Sequence, residues 1–236
     1  MTIPRTLVLW DIDHTLMNTA GAGRRAYADA FQLVASRPLE QVAEMAGRTD
    51  WAITVDTLRM HGIEASADLL QVFGDALARA FVTYESAVRE NGHVLRGARE
   101  ALEALAGRDD VVQSVLTGNM EPIAIGKLAA FDLGRFMDLR VGAFGMDHED
   151  RAELVRLAQR RATDVYGQPF GRDNTVLVGD TRHDVQAGHL GGARVVAVAT
   201  GASDRNTLLA AGAELVLNDL SDTPTVVQAI LTPTNR

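Results

Sequence analysis

From residue 97 onward, short apolar runs alternate with amphipathic helical patterns, and this alternation constrains the fold more than any other feature. The runs are VVQSVL (111–116), LRVGAF (139–144), TVLVGD (175–180), RVVAVAT (194–200) and AELVLN (213–218), with TLVLW (6–10) standing far ahead of them. They are continuously apolar rather than alternating, as expected of strands covered on both faces in a parallel sheet. Between them lie GAREALEALAG, MEPIAIGKLAAFDL, RAELVRLAQRRATDV, HDVQAGHLGGA and DRNTLLAAGA, all with helical spacing. The pattern predicts an α/β fold with a doubly wound parallel sheet. Trp10, closing the first run, is expected in the core.

The gap between the first two runs is too long for a crossover, which needs only a dozen or so residues. Residues 18–92 show no convincing strand but three helical stretches, GAGRRAYADAFQLVA, LEQVAEMAG and SADLLQVFGDALARAFVTYESAVRE. An inserted all-helical domain at 18–92 is predicted, with hinges near Met17–Ala20 and Asn91–Gly97. The core domain is then 1–17 and 93–236. The terminal TPTNR is expected to fray.

Composition excludes several function classes. With a formal net charge of −8, the chain is poorly suited to a phosphate backbone, so no nucleic-acid partner is expected. A small phosphorylated ligand needs only a local positive site and is not excluded. Cysteine is absent, which removes disulfides, thiolate nucleophiles and Cys-ligated zinc. No stretch approaches the roughly 20 apolar residues of a membrane span, and the N-terminal run is too short for a signal-peptide core. A cytoplasmic protein with no membrane partner is expected; its oligomeric state is not indicated.

In open α/β sheets ligands bind beyond the carboxyl ends of the strands. There the first run ends in Asp11 and Asp13, the second in Thr117, Gly118 and Asn119, and the run at 175–180 in Asp180, with Asp184 close behind. Each alone reads as a turn or N-cap residue. Jointly they converge. Two carboxylates about 4 Å apart repel by ~1 kcal/mol in water and ~4 kcal/mol at an effective dielectric of 20, so such a cluster calls for a cation. Oxygen ligands without Cys or paired His favour Mg²⁺ over zinc, and Mg²⁺ commonly completes its shell with substrate phosphate oxygens.

DIDHTL, TGN and GDTRHDV, in this order and spacing, resemble the motifs of the haloacid dehalogenase superfamily, in particular its phosphoglycolate-phosphatase-like branch. The resemblance covers nearly the whole chain and implies a Rossmann-like core with a helical cap inserted after the first motif. It implies that Asp11 is a nucleophile forming an aspartyl-phosphate and that Asp13 is the general acid and base. Mg²⁺ would be held by the Asp11 side chain, the Asp13 carbonyl and Asp180, with Asp184 acting indirectly or through water. Thr117, Gly118 and Asn119 would bind the phosphoryl oxygens. AGRTDW (46–51) resembles the cap loop that meets substrate, making Arg48 and Asp50 specificity candidates; read from the residues alone, the stretch is equally a turn and N-cap before a helix.

The chain departs from the family pattern in two places. His14 stands where the family usually has Gly, and is read as a tolerated turn residue or else as a contact near the cap hinge. The usual phosphate-binding Lys is replaced by GMDHEDRAEL, leaving Arg151 and Lys127 as the two cations able to serve. Lys127 is favoured as the direct contact, because it leaves the segment carrying Thr117 and Asn119. The remaining histidines, His183 and His189 among them, are expected at the surface or in packing. The resulting expectation is a Mg²⁺-dependent phosphatase of a small phosphorylated metabolite. The alternatives are a phosphomutase of the same superfamily or a non-catalytic protein that binds such a metabolite. A dehalogenase is disfavoured, since that branch lacks the acid at the position of Asp13.

Overall fold

The structure, a computed structural model, describes residues 5–232. Strand β1 (Thr6–Trp10) leads to a two-residue strand β2 (Met17–Asn18), four helices α1 (Ala22–Ala35), α2 (Asp50–Met60), α3 (Ala67–Val82) and α4 (Glu85–Asn91), and a second short strand β3 (His93–Val94). Then helix and strand alternate, except that no strand separates α6 from α7: α5 (Ala98–Ala106), β4 (Val111–Val115), α6 (Glu121–Ala130), α7 (Arg151–Tyr166), β5 (Thr175–Gly179), α8 (Arg182–Gly191), β6 (Arg194–Val198), α9 (Arg205–Ala210), β7 (Leu215–Leu217) and α10 (Thr223–Leu231). The long strands form one sheet in the order β4-β1-β5-β6-β7, every neighbour parallel. This is the expected α/β, Rossmann-like architecture.

The apolar runs are continuous because both sheet faces are covered. Val8 and Trp10 pack with Ala98, Leu102 and Leu105 of α5 and Ile230 of α10 on one face. Leu7 and Leu9, one residue out of phase, pack with Leu154, Val155 and Ala158 of α7 on the other. Trp10 is fully buried, and its indole N–H donates to Gln113 Oε1 at 3.1 Å, which satisfies the polar end of the ring.

Three local expectations need correction. LRVGAF is not a strand: it makes a 3₁₀ turn at Leu139–Val141 and a single bridge from Ala143 to Leu116. Asp138 turns the chain there, its carboxylate accepting from Arg140 N at 3.1 Å while its backbone is held against β4 through Gln113 and Ser114. The segment thus shields the β4 edge without extending the sheet. LEQVAEMAG is not a helix either. So short a helix is marginal, and the Ala43 amide is instead satisfied by Thr57 Oγ1 at 3.1 Å. Third, α10 was not anticipated. Of TPTNR, only Thr232 falls within the described residues.

The inserted helices share a core of their own. Tyr27 and Phe31 of α1, Phe73, Leu77 and Phe81 of α3 and Val88 of α4 cluster together, and Met120 and Ile123 from the start of α6 join them. Where the chain leaves and re-enters the sheet region, β2 and β3 pair antiparallel through Met17–Val94 and Asn18–His93. No described helix is long and apolar enough to cross a membrane.

Candidate active site

β1 lies between β4 and β5, so the chain leaves it toward one side of the sheet and later returns on the other. Such a switch point opens a crevice at the carboxyl edge. Asp11 follows β1 directly, Thr117 lies two residues past β4, and Asp180 follows β5. The turn beyond Asp11 places His14 at φ 59°, the left-handed region. That conformation favours glycine, which accounts for the family preference there. His14 is exposed and its carbonyl accepts from Thr200 Oγ1.

The acids meet. Asp11, Asp180 and Asp184 are buried, and each offers a carboxylate oxygen within 4.8 Å of the others. Burial pushes Asp11 up to about 7, with Arg151 opposing and Asp184 and Asp13 adding to the rise. Asp180 is pushed up to about 9 by burial and by the charges of Asp11 and Asp184, although Thr15 Oγ1 donates to it at 3.2 Å. A site that drives two carboxyls toward their neutral forms is chemically suited to a hard divalent cation, which would restore both charges. Asp184 is engaged on both sides. Its Oδ2 accepts from Thr181 N at 3.0 Å and Thr181 Oγ1 at 2.6 Å in the capping box of α8, and its Oδ1 lies 2.6 Å from Arg151.

Both cations named from the sequence are buried at the site. Arg151, the first residue of α7, reaches Asp11 Oδ1 at 2.8 Å as well as Asp184. Lys127 stands with Ile123, Ala124 and Leu128 on the buried face of α6. Its ammonium contacts Asp13 at 2.6 and 2.7 Å and Asn119 Oδ1 at 2.7 Å. Burial alone would raise Asp13, but the charge and hydrogen bonds of Lys127, helped by Asn119, hold it below the usual carboxylate range. Asn119 Nδ2 in turn donates to Asp13 Oδ2 and Thr117 Oγ1, both at 2.7 Å. Each acid at the end of β1 therefore has its own cation.

The loop before α2 closes over these groups. A cavity of about 560 Å³ separates it from the strand ends, lined on one side by Asp11, Asp13, Thr117 and Lys127 and on the other by Arg24, Tyr27, Arg48 and Asp50. Asp50 is buried, and its Oδ2 accepts from Met120 N at 2.8 Å. Arg48 lines the cavity, but its guanidinium pairs with Asp56 at 2.6 Å on α2. Sequence reasoning passed over Thr15, Tyr27 and Arg24. Arg24 lies in α1, is exposed, and lines the cavity without an ion pair or hydrogen bond among the described residues. Its signal was weak: one Arg in a charged helix start. His183 is half-buried in α8, and His189 Nε2 sits 3.0 Å from the Gly212 carbonyl; neither joins the acid cluster.

Residues 8–189 match the family of haloacid dehalogenase-like hydrolases. No match was found among curated proteins. Among solved structures, a hydrolase from Pseudomonas syringae superposes with a TM-score of 0.72 at 21% identity, covering 97% of this chain and all (100%) of the other. CbbY from Rhodobacter sphaeroides in complex with phosphate superposes with a TM-score of 0.68 at 19% identity, covering 92% of this chain and 96% of the other. A mutant of that protein, in complex with xylulose-1,5-bisphosphate, gives a TM-score of 0.66 at 19% identity over 92% of this chain and 96% of the other. At these identities the likenesses show a shared fold.

Proposed function

The chain belongs to the haloacid dehalogenase-like hydrolase family, and from that premise we propose that it is a Mg²⁺-dependent phosphatase of a small phosphorylated metabolite. The observation that carries this reading is the convergence of Asp11, Asp180 and Asp184 within 4.8 Å, beside a cavity large enough for a metabolite. That a protein of this fold is found in complex with phosphate, and a mutant of it with a sugar bisphosphate, supports a small phosphorylated substrate.

In the proposed reaction Asp11 attacks phosphorus, forming an aspartyl-phosphate and expelling the leaving alcohol. Arg151, already on Asp11 Oδ1, steadies the nucleophile and meets the phosphoryl oxygens as they arrive; its planar fork suits that task. Lys127 and the Thr117–Asn119 loop meet the remaining oxygens at the start of α6, where backbone amides favour anions. Asp13 takes up a proton from solvent as substrate binds, hands it to the leaving oxygen, and later takes one from the attacking water. Lys127 holds Asp13 charged in the free protein, so an arriving phosphoryl group that draws the ammonium away raises its affinity for that proton. Asp11, the Asp13 carbonyl and Asp180 would hold Mg²⁺, with Asp184, which also lies 2.6 Å from Arg151, acting indirectly or through water. Bound there, Mg²⁺ would supply Lewis-acid charge stabilisation at the phosphoryl oxygens. The helices at 18–92 act as a cap over the core formed by 1–17 and 93–236, excluding water from the intermediate. A cytoplasmic setting fits the metabolite class.

A panel of sugar phosphates, phosphoglycolate and nucleotides, assayed with Mg²⁺ and with chelator, tests this. Phosphate release from at least one member, dependent on Mg²⁺, is expected. Isomerised phosphate esters in place of free phosphate would favour the mutase, and no turnover at all would favour a binding protein.

A further inference from the structure

The geometry points to Asp50 as a positioning residue that builds the phosphoryl-binding loop from the cap side. This role differs from the substrate-specificity contact that the resemblance implied for Asp50. The first amides of a helix have no partner inside it. In α2 these are Asp50 N and Trp51 N, and both donate to core loops, to Gly118 O at 2.7 Å and Gly145 O at 3.0 Å. Thr49, the N-cap of α2, donates its hydroxyl to Glu149 O at 2.9 Å, two residues before Arg151. The Asp50 carboxylate completes the set by accepting from Met120 N at 2.8 Å.

This single turn therefore grips the Thr117–Asn119 loop from both ends. Gly118 offers its carbonyl to the Asp50 amide, and Met120 offers its amide to the Asp50 carboxylate. The approach is as close as backbone allows. A Cβ on Gly118 would fall 1.9 Å from Arg48 O, and one on Gly145 would fall 1.7 Å from Gly118 O and 2.9 Å from Asp50 N. Asp50 spans 70 residues to hold a backbone amide that has no other acceptor among the described residues, and it does so while buried. A buried amide left unpaired is costly, so the loop takes this shape only while α2 is docked. The shape of the phosphoryl-binding loop thereby depends on the first turn of α2.

The kinetic part of this inference rests on the phosphatase reading, and its structural part does not. Asp50→Ala withdraws the acceptor, whereas Asp50→Asn retains an oxygen for Met120 N. Asp50→Ser, too short to reach, serves if the alanine variant does not fold. Amide exchange over 117–121 in the unliganded protein should quicken at least tenfold in Asp50→Ala or Asp50→Ser and stay within threefold of wild type in Asp50→Asn. On Mg²⁺-dependent hydrolysis of p-nitrophenyl phosphate and of a sugar phosphate, the alanine variant should lose the same factor in kcat, at least tenfold, on both. The asparagine variant should recover most of it. Unchanged exchange in the alanine variant would overturn the inference, as would a loss confined to KM for the sugar phosphate. Asparagine as damaging as alanine would overturn it too. A wild-type protein inactive on every ester would remove the phosphatase reading and leave the exchange result to decide the latch.

Discussion

Lys127 shows how much one misplaced residue can say. It occupies a position on the buried face of α6 that packing alone would give to an apolar side chain, and a buried ammonium persists only with partners. Asp13 and Asn119 are those partners. Removing the charge should therefore act on catalysis: Lys127→Ala is expected to lose about 10²–10³ in kcat, as for deleting a transition-state donor. Retention of more than a tenth of wild-type kcat in a steady-state assay would place Lys127 in the fold alone. Arg151→Lys should be similarly costly, since one ammonium cannot span Asp11 and Asp184 as the guanidinium does. Asp13→Ala tests the proton role. Its loss, on the order of 10²–10⁴, should be smaller on a nitrophenyl ester than on an alkyl phosphate, and equal losses on both would contradict the assignment. Asp11, Asp13 and Asp180 were legible as candidates only jointly, because they finish separate apolar runs at the carboxyl edge of one sheet, where each alone reads as a turn residue. The choice between Lys127 and Arg151 was not legible, since both reach the site, one on each acid. Nor was the task of Asp50, whose partner Met120 is remote in sequence.

At the scale of elements, a close constraint is the contact among the start of α2 and the loops after β4. Gly145→Ala would set a methyl against the Gly118 carbonyl, which is backbone and cannot swing aside. Overpacking of this kind costs about 1–3 kcal/mol. A lowered melting temperature together with reduced turnover is expected; a variant as stable and active as wild type would show that the two loops do not meet in solution. The sheet strands and most helices were readable from period and length. The exceptions share a cause. LRVGAF and LEQVAEMAG have the apolar content of regular elements, but their backbone groups are satisfied by neighbours, the edge of β4 in one case and Thr57 in the other. Such tertiary partners leave no local trace. The N-cap read in the stretch at 46–51, by contrast, is local, and Thr49 caps α2 as its residue type prefers.

For the whole molecule, the raised carboxyls make stability depend on pH and on metal together. Asp11 and Asp180 rise from 3.8 in the unfolded chain to about 7 and about 9 in the folded protein without metal. Stability from groups raised in this way is fully present below the unfolded value and is lost as pH climbs through the folded values. In chelator the melting temperature should therefore fall between pH 5 and 9, and Mg²⁺ should restore more of it at pH 8 than at pH 5. A melting temperature that is flat or rising over that range in chelator would contradict the buried-acid account. The most direct measurement of the central claim is phosphate release by wild-type protein and by Asp11→Asn, each with Mg²⁺ and with chelator, on the best ester of the panel. The account predicts release by the wild-type protein with Mg²⁺ alone, because the amide is a poor nucleophile and has given up a metal-binding charge. Asp11→Asn retaining more than about a tenth of the wild-type rate, a barrier change below ~1.4 kcal/mol, or full activity in chelator, would contradict it.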